Sequence, residues 1–171
     1  MSASSYNLVV AVYEGPATAR EVFNILQGLE KEKALDIKEA AVFTRAPNGK
    51  VHMDNLGYVG SGKGGVLGLV VGAVVASAPL AGLVVGGLIG FSRSGDRRKL
   101  KTMLGDELDG SQSALAVVIK EADWTVVAKA TEQYPGEILL SDISDEALST
   151  LEGLSRDEEL DKATRATIAF D

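Results

Sequence analysis

An uncharged, glycine-rich run at residues 64–92 constrains this chain more than any other feature of its sequence. The run reads GGVLGLVVGAVVASAPLAGLVVGGLIGFS and contains no charged residue. Pro79 stands near its centre, where a continuous helix would lose a backbone hydrogen bond. The run therefore predicts two short helices, over residues 66–76 and 80–91, joined by a turn at the proline.

Glycines recur every fourth residue in both arms of this run, which places them on one face of each predicted helix. Glycine costs roughly 1 kcal/mol relative to alanine inside a helix, so its repetition needs a structural reason. Small residues along one face let a second helix approach almost backbone to backbone. The predicted oligomer or membrane contact consists of Gly64, Gly68, Gly72, Ala76, Pro79, Gly82, Gly86 and Gly90.

A helix that is apolar on every face must be buried by something. Each predicted arm is under about 20 Å long, whereas the hydrocarbon core of a bilayer is about 30 Å thick. The arms would therefore re-enter a membrane or pack against the hairpins of other copies. Burial against the chain's own domain is the third alternative, and it is disfavoured because amphipathic helices are expected to cover the free face of a small sheet.

The chain before the run has a β-α-β pattern. Residues 6–13 (YNLVVAVY) suit a buried strand, and residues 17–33 carry apolar side chains at helical spacing. Residues 37–45 (IKEAAVFTR) suit a second strand. An Asn48-Gly49 turn then predicts a hairpin to a short returning strand at residues 51–53.

The same pattern follows the run. Residues 114–121 (ALAVVIKE) resemble the first strand, and Asp123 is a suitable N-cap for a short helix that begins near Trp124. Residues 137–143 (EILLSDI) predict the last clear strand. Ser144 is placed to cap one further helix.

Two such units in one antiparallel sheet, with helices on one face, give the ferredoxin-like arrangement. We therefore expect a single α+β domain with duplicated β-α-β halves and an inserted glycine-zipper helical hairpin. Its parts are a first half at 6–56, the hairpin at 62–92, a second half with an additional helix at 113–154, and a tail at 155–171, all within one domain over 1–171.

The composition argues against several functions. A formal net charge of −7 disfavours nucleic-acid binding, because an acidic chain repels phosphates. The chain has no cysteine, and its one histidine is His52, so the sequence predicts no metal site and no cofactor. One basic patch directly follows the glycine-rich run, and beside a membrane it would suit anionic headgroups. It comprises Arg93, Arg97, Arg98, Lys99 and Lys101.

No motif predicts a catalytic site. His52 lies two residues before Asp54, but neighbours on a strand are more often ordinary surface residues than an acid–base pair. Glu14 and Glu121 end corresponding strands and could face each other across a twofold relation between the halves, although exposed carboxylates are the simpler interpretation. Trp124 is best explained as a core or interface anchor.

The order of segments resembles a bacterial and archaeal family, domain of unknown function 1269, over roughly residues 6–150. The matching segments are LVVAVY, LEKEKALDIKEAAVFTR, NGKVHM, GSGKGGVLGLVVGAVV with PLAGLVVGGLIG, SALAVVIKEAD and GEILLSDIS. The resemblance implies no established activity. Members are often labelled membrane proteins on account of the same apolar run.

These features predict a non-enzymatic structural or interaction protein that self-assembles through its hairpin, at a membrane surface or free of one. The expected partner is a second copy of the chain, with membrane lipid as the alternative. An integral or re-entrant membrane protein with a cytoplasmic head, and a ferredoxin-like ligand-binding or catalytic dimer, are the competing interpretations. The N-terminus shows no secretory signal, which predicts a location in the cytoplasm or at the cytoplasmic face of a membrane.

Overall fold

The computed structural model describes residues 5–56, 94–106, 108–144, 149 and 168–170. The predicted hairpin at 62–92 and most of the tail lie outside these residues, as does the helix predicted after Ser144. The elements in chain order are β1 (Ser5–Glu14), α1 (Thr18–Lys31), β2 (Leu35–Arg45), β3 (Val51–Asn55), α2 (Ser94–Lys101) with a π-helical turn (Thr102–Asp106), β4 (Gln112–Ala122), α3 (Trp124–Thr131), β5 (Gly136–Ser144) and β6 (Ile168–Phe170).

These elements form an α+β protein, as the sequence predicts. The strand order is β5-β1-β4-β2-β3-β6, and the five strands from β5 to β3 pair antiparallel. The predicted β2–β3 hairpin is confirmed, and Gly49 adopts a φ of +84° in its turn, a conformation that glycine accepts without strain. In this order β5 lies beside β1, and β4 lies between β1 and β2, so a strand that precedes residues 64–92 pairs with one that follows them.

The tail contributes the sixth strand. β6 pairs parallel with β3, with Ile168 opposite Val51 and Phe170 opposite Met53. The sequence left the role of this segment open, since a charged stretch precedes it and its only apolar cluster is very short. Tertiary pairing supplies the hydrogen bonds that so short a strand cannot supply locally.

Both faces of the sheet are buried. On one face, Val42 and Val117 belong to the same core cluster as Val22 and Leu26 of α1. On the other, Leu8, Val10 and Val118 are at most 1% exposed. The expectation of a single covered face was therefore wrong. The physical reason lies in β1, where LVVAV is apolar at successive positions, a pattern typical of strands buried on both sides.

Ser113 ties the start of α1 to the sheet. Its hydroxyl donates to the carbonyl of Gly15 at 2.7 Å and accepts from the N–H of Ala19 at 2.9 Å. The N–H of Gly15 also donates to the carbonyl of Ser111 at 2.7 Å. These bonds satisfy backbone groups that a helix start leaves without partners, so β4 fixes where α1 begins.

Arg45 ties the π-helical turn to the end of β2. Its guanidinium donates to the carbonyls of Leu108, Leu104 and Gly49 at 3.0, 3.1 and 2.7 Å. A cation at carbonyl groups of a helix C-terminus also complements the helix dipole. Arg45 thereby holds the connection that leads from α2 into β4.

Candidate functional site

The glycine face predicted as a contact surface lies wholly outside the described residues. The basic patch is partly described, since α2 carries all of it except Arg93. Arg98, Lys99 and Lys101 are exposed. The ammonium of Lys99 donates to the backbone carbonyl of Ile138 in β5 at 3.1 Å, which places the patch beside one edge of the sheet.

The carboxylates considered in the sequence do not converge. Glu14 lies opposite Gln112, whose amide donates to its carboxylate at 3.0 Å. Glu121 lies nine residues further along β4, roughly 30 Å away at the rise of an extended strand. The idea that the two carboxylates face each other was wrong, because equivalent ends of two antiparallel neighbours lie at opposite ends of the sheet.

Asp54 forms an ion pair with Arg20 of α1. Its carboxylate is therefore not reserved for an acid–base pair with His52. Both partners remain partly exposed, so the pair contributes little stability. Asp109 has a similarly structural role in the turn before β4. The hydroxyl and the N–H of Ser111 donate to its carboxylate at 2.5 and 2.8 Å, and these bonds lower the pKa of Asp109.

An apolar cavity of about 210 Å³ lies between the sheet, α1 and α3. We call it the helix–sheet cavity. Its lining comes from the strands β1, β4 and β5 and from the helices α1 and α3. None of the residues that line it is charged.

The cavity exists because α3 covers the sheet incompletely. None of the residues of α3 is buried, although the helix contacts α1 and is capped by Asp123, whose carboxylate accepts from the N–H of Val126 at 3.3 Å. On the same side, Ile138 and Leu140 of β5 are each 54% exposed. A short helix with few large side chains thus leaves space above the strands that α1 does not reach.

Tyr13 is the most deeply buried hydrogen-bonding side chain of the helix–sheet cavity. It is 5% exposed, and its hydroxyl makes no hydrogen bond to any residue that the structure describes. Burial raises the pKa of Tyr13 above its ordinary value, since the phenolate would lose its hydration. Buried polar groups without a partner are rare in folded proteins, so this hydroxyl marks a candidate binding site.

Trp124 lines the cavity and is 40% exposed. This exposure contradicts the core alternative for the tryptophan, whereas the interface alternative stays a prediction. Sequence reasoning also missed Tyr13, which reads as one more apolar residue of LVVAVY. The available signal was its alternation with Val9 and Ala11, which places a hydroxyl-bearing ring on an otherwise aliphatic strand face.

A second, shallower depression of about 550 Å³ lies at the far end of α1, lined by Glu30, Lys33, Asp36, Glu121 and Asp123 among others. The carboxylate of Glu30 accepts from the N–H of Ile37 there at 2.9 Å. Within the described ranges, no three potential metal-ligating side chains come close enough to hold a metal ion. Among the helices that the structure describes, none is long and apolar enough to cross a bilayer.

A family model described as "Protein of unknown function (DUF1269)" matches residues 61–154, more than half of the chain. The match includes the glycine-rich run and the second β-α-β unit. Neither the curated proteins nor the solved structures yield a match to the chain.

Proposed function

The chain belongs to the DUF1269 family of proteins of unknown function, and from that premise we propose that it is a non-enzymatic structural or interaction protein. It self-assembles through the glycine faces of residues 64–92, and the assembly forms in water or at a membrane surface. The observation that carries this proposal is the spacing of glycines four residues apart in both arms of an uncharged run. That run lies inside the segment that the family model matches.

The proposed head is a ferredoxin-like pair of β-α-β halves. The strand order β5-β1-β4-β2 supports this interpretation, since a twofold relation would exchange β1 with β4 and β2 with β5. Each half also places its helix between two strands that run parallel to one another, because both are antiparallel to a shared neighbour. The hairpin would then be inserted between the halves, after β3 and before α2.

Surface features of the described head agree with an associating protein. Trp124, Ile138 and Leu140 line the same cavity and are each at least 40% exposed, and large exposed apolar patches mark interaction sites. The exposed cations of α2 adjoin β5 through Lys99. Beside an anionic membrane they would provide electrostatic attraction of about 1 kcal/mol per cation.

The direct test replaces Gly68 and Gly86 together by leucine in the full-length chain. Leucine at these positions fills the predicted glycine faces, so we expect the oligomer mass measured by light scattering after size-exclusion chromatography to fall. Ala73→Leu with Ala81→Leu is the matched control, since it adds similar bulk away from the glycine faces. Circular dichroism should show an intact head in both variants.

Three other results would point elsewhere. An unchanged mass in the glycine variant would contradict assembly through the glycine faces. Wild-type protein that stays in the membrane fraction until detergent is added would favour the re-entrant membrane alternative. A wild-type monomer in detergent-free buffer would favour burial of the run against its own head, an alternative that gains weight from the two buried sheet faces.

A further inference from the structure

We propose that the helix–sheet cavity is a binding site for a small, uncharged, mostly apolar molecule that carries one hydrogen-bond-accepting oxygen, which takes a hydrogen bond from the hydroxyl of Tyr13. This binding role is independent of assembly through residues 64–92. It concerns a site in the head whose lining residues all lie outside residues 64–92. The inference rests on the size of the cavity, on its lining and on the hydroxyl of Tyr13.

The helix–sheet cavity is large enough to hold a small organic molecule. Its volume is about 210 Å³, whereas an apolar cavity of about 150 Å³ in another protein binds benzene. A molecule of one ring and a short chain, on the order of ten carbon atoms, therefore fits. Trp124, Ile138 and Leu140 of the lining are each at least 40% exposed, so the cavity is accessible to such a molecule from solvent.

The lining of the helix–sheet cavity disfavours a charged ligand. None of the lining residues is a cation or an anion, so a carboxylate or an amine would lose its hydration without gaining a counter-charge. Aliphatic side chains such as Val9, Val117 and Leu26 favour hydrocarbon. The ligand is therefore neutral over most of its surface.

The hydroxyl of Tyr13 requires one hydrogen-bond acceptor on the ligand. Its hydroxyl is without a partner among the described residues, whereas the hydroxyl of Thr131, also in the lining, already donates to the carbonyl of Val127 at 2.9 Å. Because burial keeps Tyr13 protonated, its hydroxyl is available as a donor. An oxygen acceptor such as a ketone, ester or ether satisfies it, and a pure hydrocarbon does not.

The experiment compares butyrophenone with butylbenzene, which share a carbon skeleton and differ in one carbonyl oxygen. Calorimetric titration of the full-length wild-type protein should show binding of both, with butyrophenone the tighter. Tyr13→Phe should weaken butyrophenone roughly three- to tenfold, the worth of one net hydrogen bond, and leave butylbenzene unchanged. The variant deletes a hydroxyl that has no partner among the described residues, so the fold should persist.

A steric variant provides a second readout. Ala128 lies in the lining yet is exposed on α3, so Ala128→Phe should fill the cavity and abolish binding of both compounds. Thr125→Phe adds the same ring on the same helix outside the lining and should leave both affinities unchanged. Absence of binding to the wild type overturns the proposal. So does binding that neither Tyr13→Phe nor Ala128→Phe alters, or an equal loss of both compounds in Thr125→Phe.

Discussion

Arg45 shows at the scale of one residue how a connection between elements is fixed. Three of its N–H groups donate to carbonyls contributed by two separate segments of chain, around Gly49 and from Leu104 to Leu108. A lysine ammonium is compact and cannot reproduce this planar set of donors. Arg45 therefore stabilises this connection through the planar arrangement of its donors as much as through its charge.

We expect Arg45→Lys to lower the free energy of unfolding by roughly 2–3 kcal/mol, since hydrogen bonds to a charged group contribute about 1.5–3 kcal/mol each and lysine retains some of them. Urea denaturation monitored by circular dichroism measures the change. Lys50→Arg, the reverse exchange at an exposed neighbour, is the control and should stay within about 0.5 kcal/mol of the wild type. Equal effects at both positions would argue against the bridging role of Arg45.

Because Tyr13 is buried, we expect the free energy of unfolding to depend on pH in the alkaline range. Its folded pKa is raised by burial, so stability linked to it is fully present below its unfolded pKa and is lost as the pH rises through the folded pKa. An unfolded tyrosine ionises near pH 10. Unfolding free energies measured at pH 8 and pH 10.5 should therefore fall less in Tyr13→Phe than in the wild type. The same decrease in both proteins would contradict a buried, protonated Tyr13.

At the scale of elements, β5 begins at Gly136, where the neighbouring strand leaves no room for a side chain. A Cβ added at Gly136 would lie 2.5 Å from the carbonyl oxygen of Val12 and 2.8 Å from the ring of Tyr13. The glycine therefore allows β5 to approach both the backbone of β1 and the ring of Tyr13 closely. The glycine thus links strand pairing to the shape of the helix–sheet cavity.

Gly136→Ala should lower the unfolding free energy by roughly 1–3 kcal/mol, the usual cost of overpacking. Gly28→Ala in α1 is the matched control, because an added Cβ there meets nothing within 4 Å and alanine is the better helix former. We expect Gly28→Ala to raise stability by about 0.5–1 kcal/mol. Thermal unfolding of the two variants should shift in opposite directions, and a shift in the same direction would refute the steric argument at Gly136.

At the scale of the whole molecule, the described part of an acidic chain carries a basic helix, α2, and an exposed apolar surface around Trp124 and Leu140. The net charge of −7 keeps copies apart in solution by general repulsion. The proposed self-assembly would therefore need a specific contact, and the glycine faces are the contact that we propose. The same molecule retains a separate cavity in its head, so loss of assembly and loss of ligand binding should be separable by mutation.

The sequence by itself determined the α+β class, the positions of β1, α1, β2, β4, α3 and β5, the β2–β3 hairpin and the cap at Asp123. These features follow from local periodicity, turn residues and capping, which act between residues close in the chain. It also identified the family, because the order of segments is specific even where no single segment is.

Only the tertiary structure decided which features meet in space. The pairing of β6 with β3, the burial of the second sheet face and the bonds of Arg45 to Leu104 and Leu108 all depend on residues distant in sequence. The helix–sheet cavity also depends on contacts between elements distant in sequence, because its size follows from how far α3 extends across the sheet. Strand LVVAVY predicted that Tyr13 would be buried, but the absence of a described partner for its hydroxyl is a property of packing, which periodicity does not encode.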